Sequence, residues 1–322
     1  MPDQLPTDVD VVVVGGGPAG LAAATWLGRY RRRTLVVDAG EPRNATTWRI
    51  HGLLGHDPIS PSELRTASLR GLDAYPHVDR VAGEVVTATG SEGDFHVSLD
   101  GGAHVRARRV VLATGVRDRL PDVAGLADHY GADVFHCPAC DGFETAGQRV
   151  AVLGWGAHVP AFATELLDWA ASVTVVSDGP PSAVTAEQHA GLGELGIRSL
   201  DDPAVELLGE RGALRGVRLR SGAVLEVDTA FFSLGHEVRD DLAVQLGCTL
   251  TDEGVVAVDR DQRTSVPGVF AAGDLTPGTQ LVAIAVGEGT AAGVAAARSL
   301  HGHTTVPGAP PPAPSPGPVA PG

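Results

Sequence analysis

Two stretches of the chain share one grammar of apolar and polar positions. Val11-Val12-Val13-Val14 runs into Gly15-Gly16-Gly17-Pro18-Ala19-Gly20, a small-residue helical stretch follows, and Leu35-Val36-Val37-Asp38 closes the unit. Val150-Ala151-Val152-Leu153 runs likewise into Gly154-Trp155-Gly156, and Val173-Thr174-Val175-Val176 closes the second unit. Continuous apolar runs mark strands buried on both faces, and strand–turn–helix–strand is the repeat of a parallel, doubly wound sheet. The pattern predicts an α/β protein with two Rossmann-like dinucleotide-binding domains. Between the two units, residues 81–86 and 95–99, the latter followed by Asp100-Gly101-Gly102, read as hairpin strands with a glycine turn. Residues 217–220 and 224–227 around Ser221-Gly222 repeat that theme. Residues 268–274 hold a short strand, and residues 280–300, apolar on one face and rich in alanine, predict a helix. Residues 304–322 contain eight prolines and three glycines and read as a disordered, partly polyproline tail.

Composition narrows the chemistry. At 322 residues the chain has room for about two domains. All 24 basic residues are arginine, which excludes a Schiff-base lysine, a Walker-type phosphate loop and a lysine general base. Thirty-nine acids leave a net charge of −15, which argues against nucleic acid or an anionic membrane as partner. The segment from Met1 to Asp10 has no basic region of the signal-peptide kind, and no apolar run approaches the ~18 residues of a membrane span. A cytoplasmic protein is expected. Three cysteines are too few for a secreted disulfide framework; Cys137 and Cys140 form a C-x-x-C, which in an intracellular chain reads as redox or metal chemistry. A zinc site would need a second ligand pair, and the sequence supplies none.

The first glycine turn carries nucleotide chemistry. Gly15-x-Gly17-x-x-Gly20 follows a strand and opens a helix, and Asp38 lies 21 residues beyond Gly17. Turn glycines let backbone approach a pyrophosphate, the helix N-terminus supplies positive potential, and the acid takes a ribose hydroxyl. The arginines from Arg29 to Arg33 suit the negative end of the first helix. Cys248 reads as a small buried hydrophobe; His136, next to Cys137, reads as solvent-facing, with tuning of the thiolate the alternative.

Val110-Val111-Leu112-Ala113-Thr114-Gly115 and Val269-Phe270-Ala271-Ala272-Gly273-Asp274, with the first glycine turn, resemble the flavin-binding set of the two-dinucleotide-domain flavoproteins. With Cys137-Pro138-Ala139-Cys140-Asp141-Gly142-Phe143-Glu144, residues 9 to about 300 resemble the low-molecular-weight thioredoxin reductases. That resemblance implies the three-layer ββα form of the fold. It divides the chain into an FAD-binding domain from residues 1–116 and 236–303, a C-x-x-C-bearing, NADPH-domain-like domain over 117–235, and the tail at 304–322. It implies a homodimer, and FAD held by Gly15, Gly17, Pro18, Ala19, Gly20, Asp38, Ala39, Arg43, Asn44, His51, Val86, Ala113, Thr114, Gly115, Gly273, Asp274, Gln280 and Leu281. Asn44, the single asparagine, serves equally as a turn residue. The resemblance assigns Cys140 to the flavin side, Cys137 to attack by substrate, and Asp141 to acid–base work on the leaving thiolate.

Departures from that family point further. Val159, then Pro160, stands where the second turn's helix-packing Gly or Ala belongs. Ser177-Asp178-Gly179 replaces the His-Arg-Arg run that clamps the NADPH 2′-phosphate, and no basic residue lies between Arg149 and Arg198. Two like charges within ~4 Å repel on the order of kcal/mol, so the second nucleotide site is expected to be degenerate, with NADH on Asp178 the alternative. Residues 38–44 and 51–55, and Thr279 where an arginine usually precedes Gln280-Leu281-Val282, look more like the FAD-dependent dithiol oxidases of holomycin and gliotoxin type. This implies a dithiol oxidase in antibiotic biosynthesis, closing an intramolecular disulfide in a small-molecule dithiol of dithiolopyrrolone or epidithio type. Dioxygen would be the acceptor and hydrogen peroxide the product. Two other readings are an NADPH-dependent thioredoxin-disulfide reductase and a flavin-bound redox sensor whose proline-rich tail docks a partner.

Overall fold

The computed structural model describes residues 5–177 and 185–301, and the chain divides into two compact units. Residues 5–43, 62–116 and 238–301 form the first; residues 44–61 and 117–237 form the second, apart from 178–184. Asp178, Gly179 and the proline-rich tail lie outside the described residues.

The first unit is a seven-stranded sheet. Its order is Val78–Ala82, Thr34–Asp38, Asp8–Val14, His104–Leu112, Asp94–Leu99 and Val85–Ser91, with Val269–Ala271 also paired to His104–Leu112. The first four strands and Val269–Ala271 run parallel; the last two add an antiparallel hairpin. The apolar runs predict this burial because alternate side chains enter two separate cores. Val12, Val14, Leu35, Val37, Val110 and Leu112 lie in one core; Val11, Val13, Val36 and Val111 lie in the other, with the helices Pro18–Arg29 and Val282–Ser299. Those two helices meet backbone to backbone. A Cβ added at Gly289 would lie 2.0 Å from the Ala19 carbonyl oxygen, and one at Gly293 would lie 2.5 Å from that of Ala23.

Two expectations are corrected here. Residues 81–86 are not one hairpin strand: Val78–Ala82 is a parallel edge strand, and Val85–Ser91 belongs to the hairpin. The break falls at Gly83 and Glu84, where the Asp100 carboxylate accepts the Glu84 amide at 2.8 Å. The arginine cluster also does more than close the first helix. That helix ends at Arg29; Arg31, at φ 59°, turns the chain back, and buried Arg32 donates to the Ala297 carbonyl at 3.0 Å. Arg109 donates to the Ser299 carbonyl at 2.9 Å, so two guanidinium groups cap the C-terminal end of the other helix.

The second unit holds a five-stranded, all-parallel sheet in the order Arg198–Leu200, Ser172–Val176, Arg149–Gly154, Thr229–Ser233, Val134–Phe135. A three-stranded antiparallel meander, Ala204–Glu210, Ala213–Leu219 and Val224–Leu225, packs with it through one apolar cluster. Residues 44–61, expected in the first domain, pack with this unit. The Trp48 amide donates to the Gly131 carbonyl at 3.0 Å, and the Arg211 guanidinium lies 5.3 Å above the Trp48 ring. Arg211 also donates to the Thr46 carbonyl at 3.3 Å, which fixes the segment from a third side. Among the described residues no helix is long and apolar enough to cross a membrane.

The helix contact makes a paired prediction. Gly293→Ala should destabilise the protein by about 1–3 kcal/mol through overpacking. Gly287→Ala, with nothing within 4 Å of the new Cβ, should be neutral or stabilising. Thermal melts of both variants measure this, and equal midpoints would show that the glycine contact tolerates a methyl group.

Candidate functional site

In the first unit the turn after Asp8–Val14 is shaped by glycines with different reasons to be glycine. Gly15 has φ +109°, and a Cβ there would lie 2.2 Å from the Ala113 carbonyl oxygen. Gly20 brings the helix onto the strand, its added Cβ falling 1.9 Å from the Gly15 oxygen. Gly17 differs: it caps Pro18–Arg29 with φ −76°, and nothing lies within 4 Å of its added Cβ. Neither its conformation nor packing requires glycine, so the open space before the helix N-terminus is what Gly17 provides. Amides and the helix dipole favour an anion there, and Pro18 removes one amide that would otherwise lack a partner.

Other predicted residues gather in the same unit. Asp38 accepts the amides of Gly16 at 3.2 Å and Gly40 at 3.1 Å on one oxygen, with Ala39 exposed between. Its second oxygen takes Arg65 at 2.5 Å, and Arg65 also donates to the Gly16 carbonyl at 2.8 Å. Arg43 donates to Asp274 at 2.8 Å and to Gln280 at 2.7 Å, both more than 200 residues away in sequence. Ala19 and Gly273 meet, a Cβ on Gly273 falling 2.9 Å from that of Ala19. Thr114 donates to the Arg239 carbonyl at 2.7 Å, the Gly115 carbonyl accepts the Arg239 amide at 3.0 Å, and Leu281 caps the last helix. Val86 sits half-exposed where the hairpin register shifts, its carbonyl accepting Gln245 at 3.3 Å. An open helix N-terminus, a guanidinium and carboxylates beside positive-φ turns suit a polyhydroxylated diphosphate such as FAD. Arg65 escaped the sequence reading because it lies on helix Pro61–Leu72, which carries no motif.

The redox chemistry lies in the second unit. Cys137 and Cys140 are joined in a disulfide with Cα atoms 5.2 Å apart. Cys137 is extended and caps the turn Pro138–Asp141, and the amides of Cys140 and Asp141 point to its carbonyl at 3.1 and 3.2 Å. Burial first, and then the charge of Glu144, push the Asp141 carboxyl up to about 7. Glu144 in turn faces His51 at 3.4 Å, and His51 lies 3.3 Å from Asp57. His51 thus stands between two carboxylates of this unit, one of them four residues from Cys140. Asn44 lies in the 3₁₀ turn Arg43–Thr46, and its carbonyl accepts the Thr47 amide at 3.3 Å. The solvent-facing expectation for His136 is overturned. Its ring packs against Tyr130 and Phe232, and its Nδ1 lies 3.1 Å from the Tyr130 hydroxyl, which donates to Asp118 at 3.2 Å. Strand Thr229–Ser233 supplies Phe232 to one side of the ring, which is half-buried. Cys248 is buried as expected, its thiol 3.5 Å from the Thr264 hydroxyl.

The second glycine turn departs from the first. Val159 is buried and opens a helix of only seven residues, Val159–Glu165. His158 folds back over the turn: its Nε2 lies 3.1 Å from the Ser233 carbonyl oxygen, and its ring is 3.2 Å from an added Cβ on Gly156. A cavity of about 130 Å³ at the ends of these strands is lined by Gly154, Val159, Pro160, Ser177 and Asp201, and among its described lining residues there is no arginine.

The sequence profile of the pyridine nucleotide-disulphide oxidoreductases matches residues 9–289. Thioredoxin reductase tcpT of Claviceps purpurea is 32% identical over 306 residues, covering 91% of this chain and 94% of that protein. Thioredoxin reductase sirT of Leptosphaeria maculans is 33% identical over 308 residues, covering 89% and 93%. The crystal structure of HlmI superposes with a TM-score of 0.86 at 35% identity, covering 91% of this chain and 92% of that one.

The raised Asp141 carboxyl fixes a pH dependence. Its folded value, about 7, exceeds the ~3.9 of an unfolded aspartate, so its stability contribution is complete below about pH 4 and lost as pH rises through about 7. Asp141→Asn should therefore gain stability relative to the parent across that window, by a few kcal/mol at its top. Denaturation midpoints at several pH values measure it; a difference that does not change with pH contradicts the burial argument.

Proposed function

This chain belongs to the pyridine nucleotide-disulphide oxidoreductase family, and from that premise we propose that it is an FAD-dependent oxidase of a small-molecule dithiol, closing an intramolecular disulfide in a natural product. It is a thioredoxin reductase-like flavoenzyme, a disulfide oxidoreductase that binds FAD. The observation that carries the finer reading is the contrast between the two glycine turns. The first leaves Gly17 open before a twelve-residue helix, whereas the second is covered by His158 and packed by Val159. Electrons then enter from a dithiol rather than from a nicotinamide. The similarity to HlmI supports the same reading.

The residues act in order. A substrate thiolate attacks Cys137 Sγ, the Cys137–Cys140 bond breaks, and Cys140 leaves as a thiolate. Asp141, adjacent in sequence and titrating near neutrality, holds or returns the proton of that thiol. The substrate's second thiol attacks its own sulfur bridged to Cys137; the ring disulfide forms and Cys137 is released. Two electrons and two protons now reside on the cysteine pair. FAD supplies the two-electron acceptor that returns the pair to the disulfide, with dioxygen as final oxidant and hydrogen peroxide as product. The Gly15–Gly20 turn, Asp38, Arg43, Asp274 and Gln280 are the residues proposed to hold FAD.

The runner-up is an NADPH-dependent thioredoxin-disulfide reductase, favoured by the names of the two fungal relatives. Under air and without nicotinamide, a small dithiol should be oxidised with one hydrogen peroxide formed per disulfide, while anaerobic NADPH should bleach the flavin slowly. Rapid bleaching by NADPH would establish the reductase instead.

The two sulfurs have unequal roles. Cys140→Ser should abolish flavin reduction by dithiol yet still trap substrate on Cys137. Cys137→Ser should lose turnover and show a long-wavelength charge-transfer band. A band in Cys140→Ser instead would reverse the assignment, and turnover in either variant would remove the cysteine pair from the reaction.

A further inference from the structure

Glu288 belongs to no motif, yet its carboxylate sits on the turn that carries Gly273 and Asp274. One oxygen accepts the Gly273 amide at 2.8 Å and lies 3.2 Å from the Thr276 hydroxyl. Buried Thr276 also closes the turn on itself, its hydroxyl 2.9 Å and its amide 2.8 Å from the Gly273 carbonyl oxygen. The turn has little slack on its other sides. Gly273 has φ +83° and lies against Ala19, and Asp274 is held by Arg43. The groups that face Glu288 from the packed elements are these. Thr276 and the negative Asp274 come from the turn, with Arg43 beyond Asp274, and Gly278 lies near the other carboxylate oxygen. Burial, and secondarily Asp274, raise the Glu288 carboxyl above the ordinary glutamate value.

We propose that Glu288 is a positioning residue for the cofactor: its ionised carboxylate fixes the Gly273 amide, and with it the Gly273–Asp274 turn, in the conformation that retains FAD. Protonation replaces the charged acceptor of the Gly273 amide by a neutral carboxyl, a weaker acceptor, so the turn loosens. FAD retention therefore weakens on acidification, and at a milder pH than an exposed glutamate would set. The inference rests on the assignment of that turn to FAD.

The test is FAD affinity, read by flavin fluorescence on reconstituted apo-protein, for the parent, Glu288→Gln, Glu288→Ala and Asp274→Ala between about pH 8 and about pH 5. Glu288→Ala should bind FAD about 10–100-fold more weakly at the upper pH, the effect usual for residues that orient a ligand's direct contacts. Glu288→Gln keeps an acceptor oxygen; it should lose only several-fold, keep the parent's apo-protein melting midpoint, and show no acid dependence of its own. Parental affinity in Glu288→Ala, or a parental pH profile in Glu288→Gln, overturns the proposal. If Asp274→Ala loses FAD while Glu288→Ala does not, the proposal alone falls. If neither loses it, the turn is not a cofactor contact and the assignment beneath the proposal falls as well.

Discussion

Everything in the first unit depends on how closely two helices approach. Gly289 and Gly293 let helix Val282–Ser299 rest on the backbone of Ala19 and Ala23, where an added Cβ would come within 2.0 and 2.5 Å of a carbonyl oxygen. That contact positions the N-terminal turn of the first helix. It also sets Glu288 one residue from the contact, on the amide of Gly273. The turn before the first helix and the Gly273–Asp274 turn come from opposite ends of the chain, and the helix contact is what brings Ala19 against Gly273. Small residues in this helix are thus a packing requirement and, through packing, a requirement of the site.

The two nucleotide-type turns show how little separates an open cradle from a closed one. Both follow buried parallel strands and both begin with glycine. In the first, Pro18 and Ala19 keep the helix start low and Gly17 leaves room outside it. In the second, His158 and Val159 occupy the corresponding surroundings, and the helix is too short to build much of a dipole. The second unit carries the same strand–turn–helix scaffold together with a disulfide and the titrating acid Asp141.

The fold was readable because its strands are continuous apolar runs with alternate residues entering two cores, a pattern that survives without knowledge of tertiary structure. It failed at residues 81–86, where apolar alternation continues across Gly83 although the strand changes partner. Of the candidate residues, the glycine turn, Asp38, Arg43, Asp274 and Gln280 of the first unit, and the cysteine pair of the second, were visible from motif and resemblance. Arg65 and Glu288 were not, since each is placed by a contact to a residue well separated in sequence, 27 positions for Arg65 and 15 for Glu288, and sits in ordinary helical sequence. His136 was misjudged for the same reason: Phe232, which covers it, is 96 residues away.

The order of the chain has a consequence for how the molecule comes into being. The second unit is complete once residue 237 has been made, whereas the first still lacks Val269–Ala271 and helix Val282–Ser299. Its sheet and its cofactor turns close only over separations above a hundred residues, with loop-closure entropy opposing each. During synthesis, which proceeds from the N-terminus at about 5–20 residues per second, the disulfide-bearing unit can mature while the first unit waits, open, for roughly the last quarter of the protein.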